Sequence, residues 1–330
     1  MGVLVLGREA EQRQGLRPLD ILRDLHGVGR LIDVAFADDI AQEGSQFLQD
    51  LSILTVLSPA MWALRRISAD MRDALDGFVW IEDGAIVGNV TLSRDDTARR
   101  VWTITNVAVH PSYRRRGIAE TLLQAGLDAV HQRGGGFVVL QVKPANTAAC
   151  DLYRSMGFRF VDGIVTTRRC GPLAMPLPLA GQARPVRVDE WPKLYALLKG
   201  SRAPLAERIT PLRERDYRRS LLQRVANVMS DVWYQEQRLW LAIEEGEVFL
   251  AAARVHLRLN GSNTIDVSIL PDGQRYVEPL LQAALARCTQ SDRTITVHVA
   301  SGEASALALL EHAGFKETRH LHRLMCETTA

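Results

Sequence analysis

Apolar and polar positions along residues 100–160 fall into three alternating patterns. Ile104 to Val109 is a short apolar run, as expected of a strand. After Gly117 the period changes to 3.6. Ile118, Leu122 and Gly126 form one line, and Ala119, Leu123, Leu127 and Val130 the adjacent one. That stripe predicts a helix packed on a sheet, ended at Gly134-Gly135-Gly136, where glycine takes the left-handed cap conformation. Phe137 to Val142 then predicts a buried strand, and Asn146 to Met156 a second helix stopped at Gly157. Between the first strand and its helix lies Arg114-Arg115-Arg116-Gly117-Ile118-Ala119. Backbone N–H groups at a helix start have no intrahelical partner, and the macrodipole adds partial positive charge there. A glycine allows close approach of an anion, and arginines supply charge-assisted hydrogen bonds. The ligand this points to is a pyrophosphate.

The basic turn sits within a longer string. Asn106-Val107-Ala108-Val109-His110-Pro111-Ser112-Tyr113 precedes it, and Asn146 through Phe158 follows. From about Phe78 to Val161 the chain resembles the GCN5-related N-acetyltransferase (GNAT) superfamily. The Q/R-x-x-G-x-G/A signature falls on Arg114, Gly117 and Ala119. The N-x-x-A-x-x-L-Y-x-x-x-G-F signature is complete from Asn146 to Phe158.

The resemblance implies acetyl transfer from acetyl-CoA, without a metal, to a primary amine of a small molecule or a peptide N-terminus. The alternative is a non-catalytic acyl-CoA-binding regulatory module. The cofactor pyrophosphate would lie on the backbone of Arg114, Arg115, Arg116, Gly117, Ile118, Ala119 and Glu120. The pantetheine arm would pair with Val107, Ala108 and Val109, where the strand parts from its neighbour at a bulge. Asn146 would touch the arm from the far side, besides capping its helix as asparagine does well. Tyr153 would also lie against the cofactor, near the thioester sulfur, and protonate the departing thiolate. The chemistry supplies reasons for such groups: a tetrahedral oxyanion needs donors in place, and a thiolate leaves more easily beside an acid. The general base is not legible. Trp102 to Asn106 contains no carboxylate; Glu82, Asp95 and Asp96 are near in sequence, and a water chain ending on Thr105 or Asn106 is a further route.

The second half echoes the first. Ile81-Glu82-Asp83-Gly84 returns as Ile243-Glu244-Glu245-Gly246, Phe137 to Val142 as Thr294 to Val299, and Leu152 to Phe158 as Leu309 to Phe315. The expected fold is therefore α/β, of mixed α+β character: two tandem GNAT-like domains, each a twisted mixed β-sheet flanked by helices. The division is drawn as 1–178 and 179–330, in the Pro-rich stretch Gly171 to Pro185. The echo fails at the chemistry. The counterpart of the basic turn, Leu270 to Leu281, is shorter, has lost two arginines and carries Asp272 and Glu278. Leu310 stands for the tyrosine, and Glu303 or a neighbour for the asparagine. The second domain is expected not to bind acetyl-CoA productively.

Composition changes this picture little. A chain of 330 residues holds two ordinary domains, and its formal charge of +2 gives no electrostatic case for nucleic acid or a membrane surface. The four cysteines lack metal or disulfide spacing, and no secretory signal pattern opens the sequence, so a reducing cytoplasm is the default. A homodimer is left open. Leu51 to Leu64 is uncharged but too short for a membrane span, which needs about 20 residues. It is either core packing or an apolar acceptor wall carrying Met61 and Trp62.

Overall fold

The computed structural model describes residues 14–37, 76–94, 100–171, 182–218, 236–258, 261–288 and 293–328. The stretch from Leu51 to Leu64, with Met61 and Trp62, lies outside them, as do Asp95 and Asp96. The chain forms two units. One comprises Met1–Phe160 with Arg323–Ala330, the other Val161–His322.

In the first unit, strand β1 (Gly15–Pro18) leads into helix α1 (Ile21–Ala35). The hairpin of β2 (Asp76–Glu82) and β3 (Ala85–Arg94) turns through Asp83 and Gly84, both at positive φ (52° and 76°), as tight hairpins favour. Strand β4 (Val101–Val109) leads through a 3-10 turn at Pro111–Tyr113 into α2 (Ile118–Gln132). Strand β5 (Phe137–Val142) and helix α3 (Thr147–Ser155) follow. The sheet runs β1-β2-β3-β4-β5, antiparallel except for the parallel pair β4–β5. Alternation along β2 sends Val79 and Ile81 to Val28 and Ile32 of α1, while Phe78 and Trp80 pack on the other core with α2. The buried residues of α2 are Ile118, Leu122, Leu123, Gly126 and Val130, the stripe expected from the sequence. The unit is completed from far along the chain. Strand β12 (Lys316–Glu327) lies beside β5, and its residues from Arg323 onward belong to this unit. Leu324 and Cys326 pack on the core, and Thr328 bonds to the backbone of Gly135 and Gly136.

The second unit repeats the plan. Strand β6 (Arg159–Arg169) precedes β7 (Ala183–Pro185), helices α4 (Trp191–Gly200), α5 (Pro204–Ile209) and α6 (Glu214–Tyr217), and the hairpin β8 (Glu236–Glu245) and β9 (Val248–Arg258). Then come β10 (Asn263–Ile269), a 3-10 turn at Pro271–Tyr276, α7 (Val277–Ala286), β11 (Ile295–Ala300) and α8 (Ala304–His312). Its core lies between the inner sheet face (Leu241, Ala253, Val255, Ile265, Val297) and α7 and α8. The strand order is β6-β11-β10-β9-β8-β7, with β12 beside β6. The sequence division at 178/179 falls outside the described residues. The structural division comes earlier, at Phe160/Val161, because Ile164 to Arg169 of β6 pair with Ala300 to Ile295 of β11.

One repeat feature has no counterpart among the echoes noted from sequence. Arg17 of β1 forms a two-pronged pair with buried Asp24 of α1 (2.6 and 2.7 Å) and donates to the carbonyl of Pro18. Arg184 of β7 does the same with buried Glu190 (2.8 and 2.7 Å) and with the carbonyl of Pro185. Both acids accept a backbone N–H as well, from Asp20 and Arg187 respectively, so each ties a short strand to the start of the helical segment that follows it.

Candidate active site

The basic turn has the geometry of an anion cradle. Gly117 caps the start of α2 at φ +74°, and no side chain satisfies the first N–H groups of that helix. A Cβ on Gly117 would meet nothing within 4 Å, so glycine is required here by conformation and leaves the surface open. Arg115 also adopts positive φ (62°), which is uncommon for a residue with a side chain. Arg114, Arg115, Arg116, Gly117 and Glu120 are exposed. Ile118 is buried in the core, and half-buried Ala119 is available through its backbone.

The arginines divide the work. Arg114 donates from Nε to the carbonyl of Val109 (3.3 Å) and from its terminal nitrogen to the carbonyl of Ala35 at the end of α1 (3.2 Å). It frames the turn. Arg116 pairs with Glu82 (2.6 Å) and stands over the ring of Tyr113, 5.4 Å from its centre. Among the described residues Arg115 has no such partner, which leaves its charge for a ligand. His110 caps the preceding 3-10 turn, accepting from the N–H of Ser112 (3.3 Å), and is structural. Gly88 of β3 seats the helix: a Cβ there would lie 2.8 Å from Ile118 and 2.9 Å from Leu122.

Beside the turn the sheet opens. Strands β4 and β5 pair only from Val101↔Phe137 to Ile104↔Leu140. Beyond Ile104, β4 has no β5 partner, so the β5-facing backbone of Val107, Ala108 and Val109 is unused by the sheet. On its other edge β4 carries a bulge. Asn89 pairs with Ala108 and Thr91 with Thr105, so Asn106 and Val107 stand opposite the single residue Val90. Asn106 takes φ +53° to make it. Ala108 is buried, and Val107 and Val109 are half-buried.

Asn146 is the N-cap of α3: its side-chain oxygen accepts from the N–H of Ala149 (3.1 Å). Its amide nitrogen takes no part in the cap, and the residue is exposed. Tyr153, two turns later, is 6% exposed and packs edge-to-face on Phe158 (5.8 Å). Burial, with a smaller contribution from Cys150, pushes its hydroxyl up to about 12. The phenol therefore keeps its proton at neutral pH. Full proton transfer to a thiolate of ordinary pKa, about 8.5, would be uphill, so the phenol is suited to donating a hydrogen bond. Of the three carboxylates near the site in sequence, Glu82 is held by Arg116. Among the described residues no group of three or more His, Cys, Asp or Glu side chains is placed to hold a metal ion, and no helix is long and apolar enough to cross a membrane.

The second unit keeps the opening, since β10 and β11 pair only from Asn263↔Ile295 to Asp266↔His298, but it lacks the other features at the equivalent place. Its 3-10 turn runs directly into α7 with no left-handed glycine. A Cβ on Gly273 would strike the carbonyl oxygen of Leu250 at 2.3 Å, so that glycine serves a close approach of backbone to strand. Arg275 is paired with Glu245, and Gln274 bonds Glu303 (3.0 Å). Strands β9 and β10 pair without a register shift. Glu303 occupies the N-cap position of α8, and Leu310 lies as far into that helix as Tyr153 does into α3, fully buried.

A model describing the acetyltransferase (GNAT) family matches residues 46–158. The match places a domain of this family within residues 46–158. The GNAT motifs legible in the sequence lie on the turn, the open strand and α3 of the first unit. Over 56 residues the chain is 41% identical to the [ribosomal protein bS18]-alanine N-acetyltransferase of Escherichia coli, a match covering 17% of this chain and 38% of that protein. The chain thus spans well under half the length of this curated relative. A GCN5-related N-acetyltransferase from Sphaerobacter thermophilus superposes with a TM-score of 0.58 at 14% identity, covering 96% of both chains. A tandem GNAT protein from the clavulanic acid biosynthesis pathway does so with a TM-score of 0.50 at 14% identity, covering 96% of this chain and 98% of that one. The fold of the described chain is that of tandem GNAT proteins.

Sequence reasoning missed Gly88, Asn89 and the framing role of Arg114. A glycine and an asparagine side by side in an otherwise apolar strand were the available signal for the first two.

Proposed function

We propose that this chain is an acetyl-CoA-dependent N-acetyltransferase whose site lies in the first unit and whose acceptor is a primary amine, on a peptide N-terminus or a small molecule. The observation that carries the reading is the conjunction of an open, left-handed glycine turn at the start of α2 with a bulged β4 that has left β5. The pyrophosphate lies on the amides of residues 114–120, with Arg115 as the free charge. The pantetheine arm pairs with the unused edge of Val107 to Val109, and the amide of Asn146 faces it across the gap. The neutral amine attacks the thioester carbon, forming the C–N bond. The oxyanion is held by a β4 backbone N–H, the C–S bond breaks, and Tyr153 donates a hydrogen bond to the thiolate. The amine's proton leaves to solvent. The name of the E. coli relative motivates an alanine-initiated peptide as the first acceptor to try. The second unit, with its closed turn and unbulged strand, does not take acetyl-CoA productively.

One observation favours a non-catalytic acyl-CoA-binding reading: β4 offers no carboxylate, and Glu82 is already paired. Calorimetric titration with acetyl-CoA, followed by thiol-release assays against alanine-initiated peptides and simple primary amines, separates the two. One site per chain with turnover supports the transferase. One site without turnover on any amine supports the binding module, and no binding overturns both.

A further inference from the structure

Asn89 is fully buried in β3, yet its side chain is not satisfied in the ordinary way. Its amide nitrogen donates to the carbonyl of Asn106 (3.1 Å) and to the hydroxyl of Thr91 (3.2 Å), while its Oδ1 has no partner among the described residues. A buried acceptor left unpaired destabilises the fold. Valine or alanine would avoid that cost in a strand whose neighbours are Val87, Gly88 and Val90. The carbonyl that Asn89 holds belongs to the one residue of β4 at positive φ.

We propose that Asn89 is a positioning residue, whose amide grips the Asn106 carbonyl and thereby aims the N–H of Val107 at the thioester oxygen. The link is the rigidity of one peptide unit. In a trans peptide, C=O and the following N–H point in opposite directions in one plane, and among the described residues no peptide is cis. Holding the Asn106 oxygen toward β3 turns the Val107 N–H away from β3, toward the side where β4 has lost β5. An oxyanion donor is effective when its direction is set before the reaction. The inference rests on the acetyltransferase reading for its chemistry, and on the clamp alone for its geometry.

The second unit is an internal control. The N–H of His110 bonds to the carbonyl of Val87, and the N–H of Leu270 to that of Leu250, each at 2.9 Å, so Gly88 corresponds to Ala251 and Asn89 to Ala252. Ala252 is fully buried and cannot donate from its side chain, and the strand opposite it runs without a bulge. Clamp and bulge are present together in one unit and absent together in the other.

The test uses the full chain and Asn89→Leu, which keeps the volume and removes the donor, with Asn89→Ala as a second variant should leucine overpack. With 15N-valine labelling and no ligand, the Val107 amide resonance should shift and broaden as its peptide loses a fixed direction, while those of Val130 and Val138 stay in place. With acetyl-CoA labelled with 13C at its acetyl carbonyl, the infrared downshift of the bound carbonyl should shrink, and kcat should fall about 100-fold with affinity within about threefold. An unchanged Val107 resonance in both variants, or an unchanged carbonyl band, overturns the inference. Failure of the unaltered protein to bind acetyl-CoA overturns the proposed function instead, and the Val107 resonance then decides the clamp by itself.

Discussion

In the proposed site, Tyr153 and Gly117 serve one ligand in different ways. Tyr153→Phe removes a hydroxyl that makes no hydrogen bond among the described residues, so the fold should be indifferent to it. Acetyl-CoA affinity should stay within about twofold by calorimetry, while kcat falls by ~100-fold, the scale of removing one hydrogen-bond donor to charge developing in the transition state. The same hydroxyl gives a pH signature. Its folded value of about 12 exceeds the unfolded value of about 10. The stabilisation is therefore complete below pH 10 and lost as pH rises from 10 through 12. Alkaline melting curves of Tyr153→Phe should be flatter across that window. Gly117→Ala puts a side chain where there is room but at φ +74°, a conformation that costs an L residue about 1–2 kcal/mol. A modest drop in Tm with at least a tenfold loss of acetyl-CoA affinity is the expected pair of results. The role of Gly117 was legible because a signature turn is local. The role of Asn89 was not, because it is exercised on a carbonyl seventeen positions away.

Elements were read well where their period was long and their ends were punctuated. The stripe on α2, its glycine stop, β5 and α3 all stand where the alternation of Ile118 to Gly157 predicted them. What escaped was how elements meet. Gly88 reads as an ordinary strand residue, but it lets the first turn of α2 settle on β3. Gly88→Ala should cost about 1–3 kcal/mol through overpacking, measured by denaturant melts, although it touches no ligand. The Arg-Pro pairs at Arg17 and Arg184 escaped for the same reason, since their acidic partners lie on other elements. Arg184 holds the Glu190 carboxylate down to about 2. A lowered carboxylate stabilises above its unfolded value, about 4.5, and loses that stabilisation as pH falls toward 2. Glu190→Gln should therefore be less stable than the parent at pH 7, with the gap closing between pH 4.5 and 2 when both are followed by circular dichroism.

At the scale of the molecule, the tandem repeat was visible as paired strings, and so was the divergence of the turn before α7. Calorimetry with acetyl-CoA should accordingly return one site per chain, and two would restore a site to the turn before α7. The exchange of strands was not visible. No periodicity tells a strand which sheet it joins, and β6 and the end of β12 each join the unit other than the one their neighbours in sequence suggest. That arrangement bears on time as well as space. All the motifs of the first unit have been synthesised by residue 158, yet residues 323–330, which complete that unit, are made only after the whole second unit. A nascent chain halted anywhere in between lacks the strand that covers the far edge of β5. A truncated product thus retains the motifs without the finished sheet that supports them.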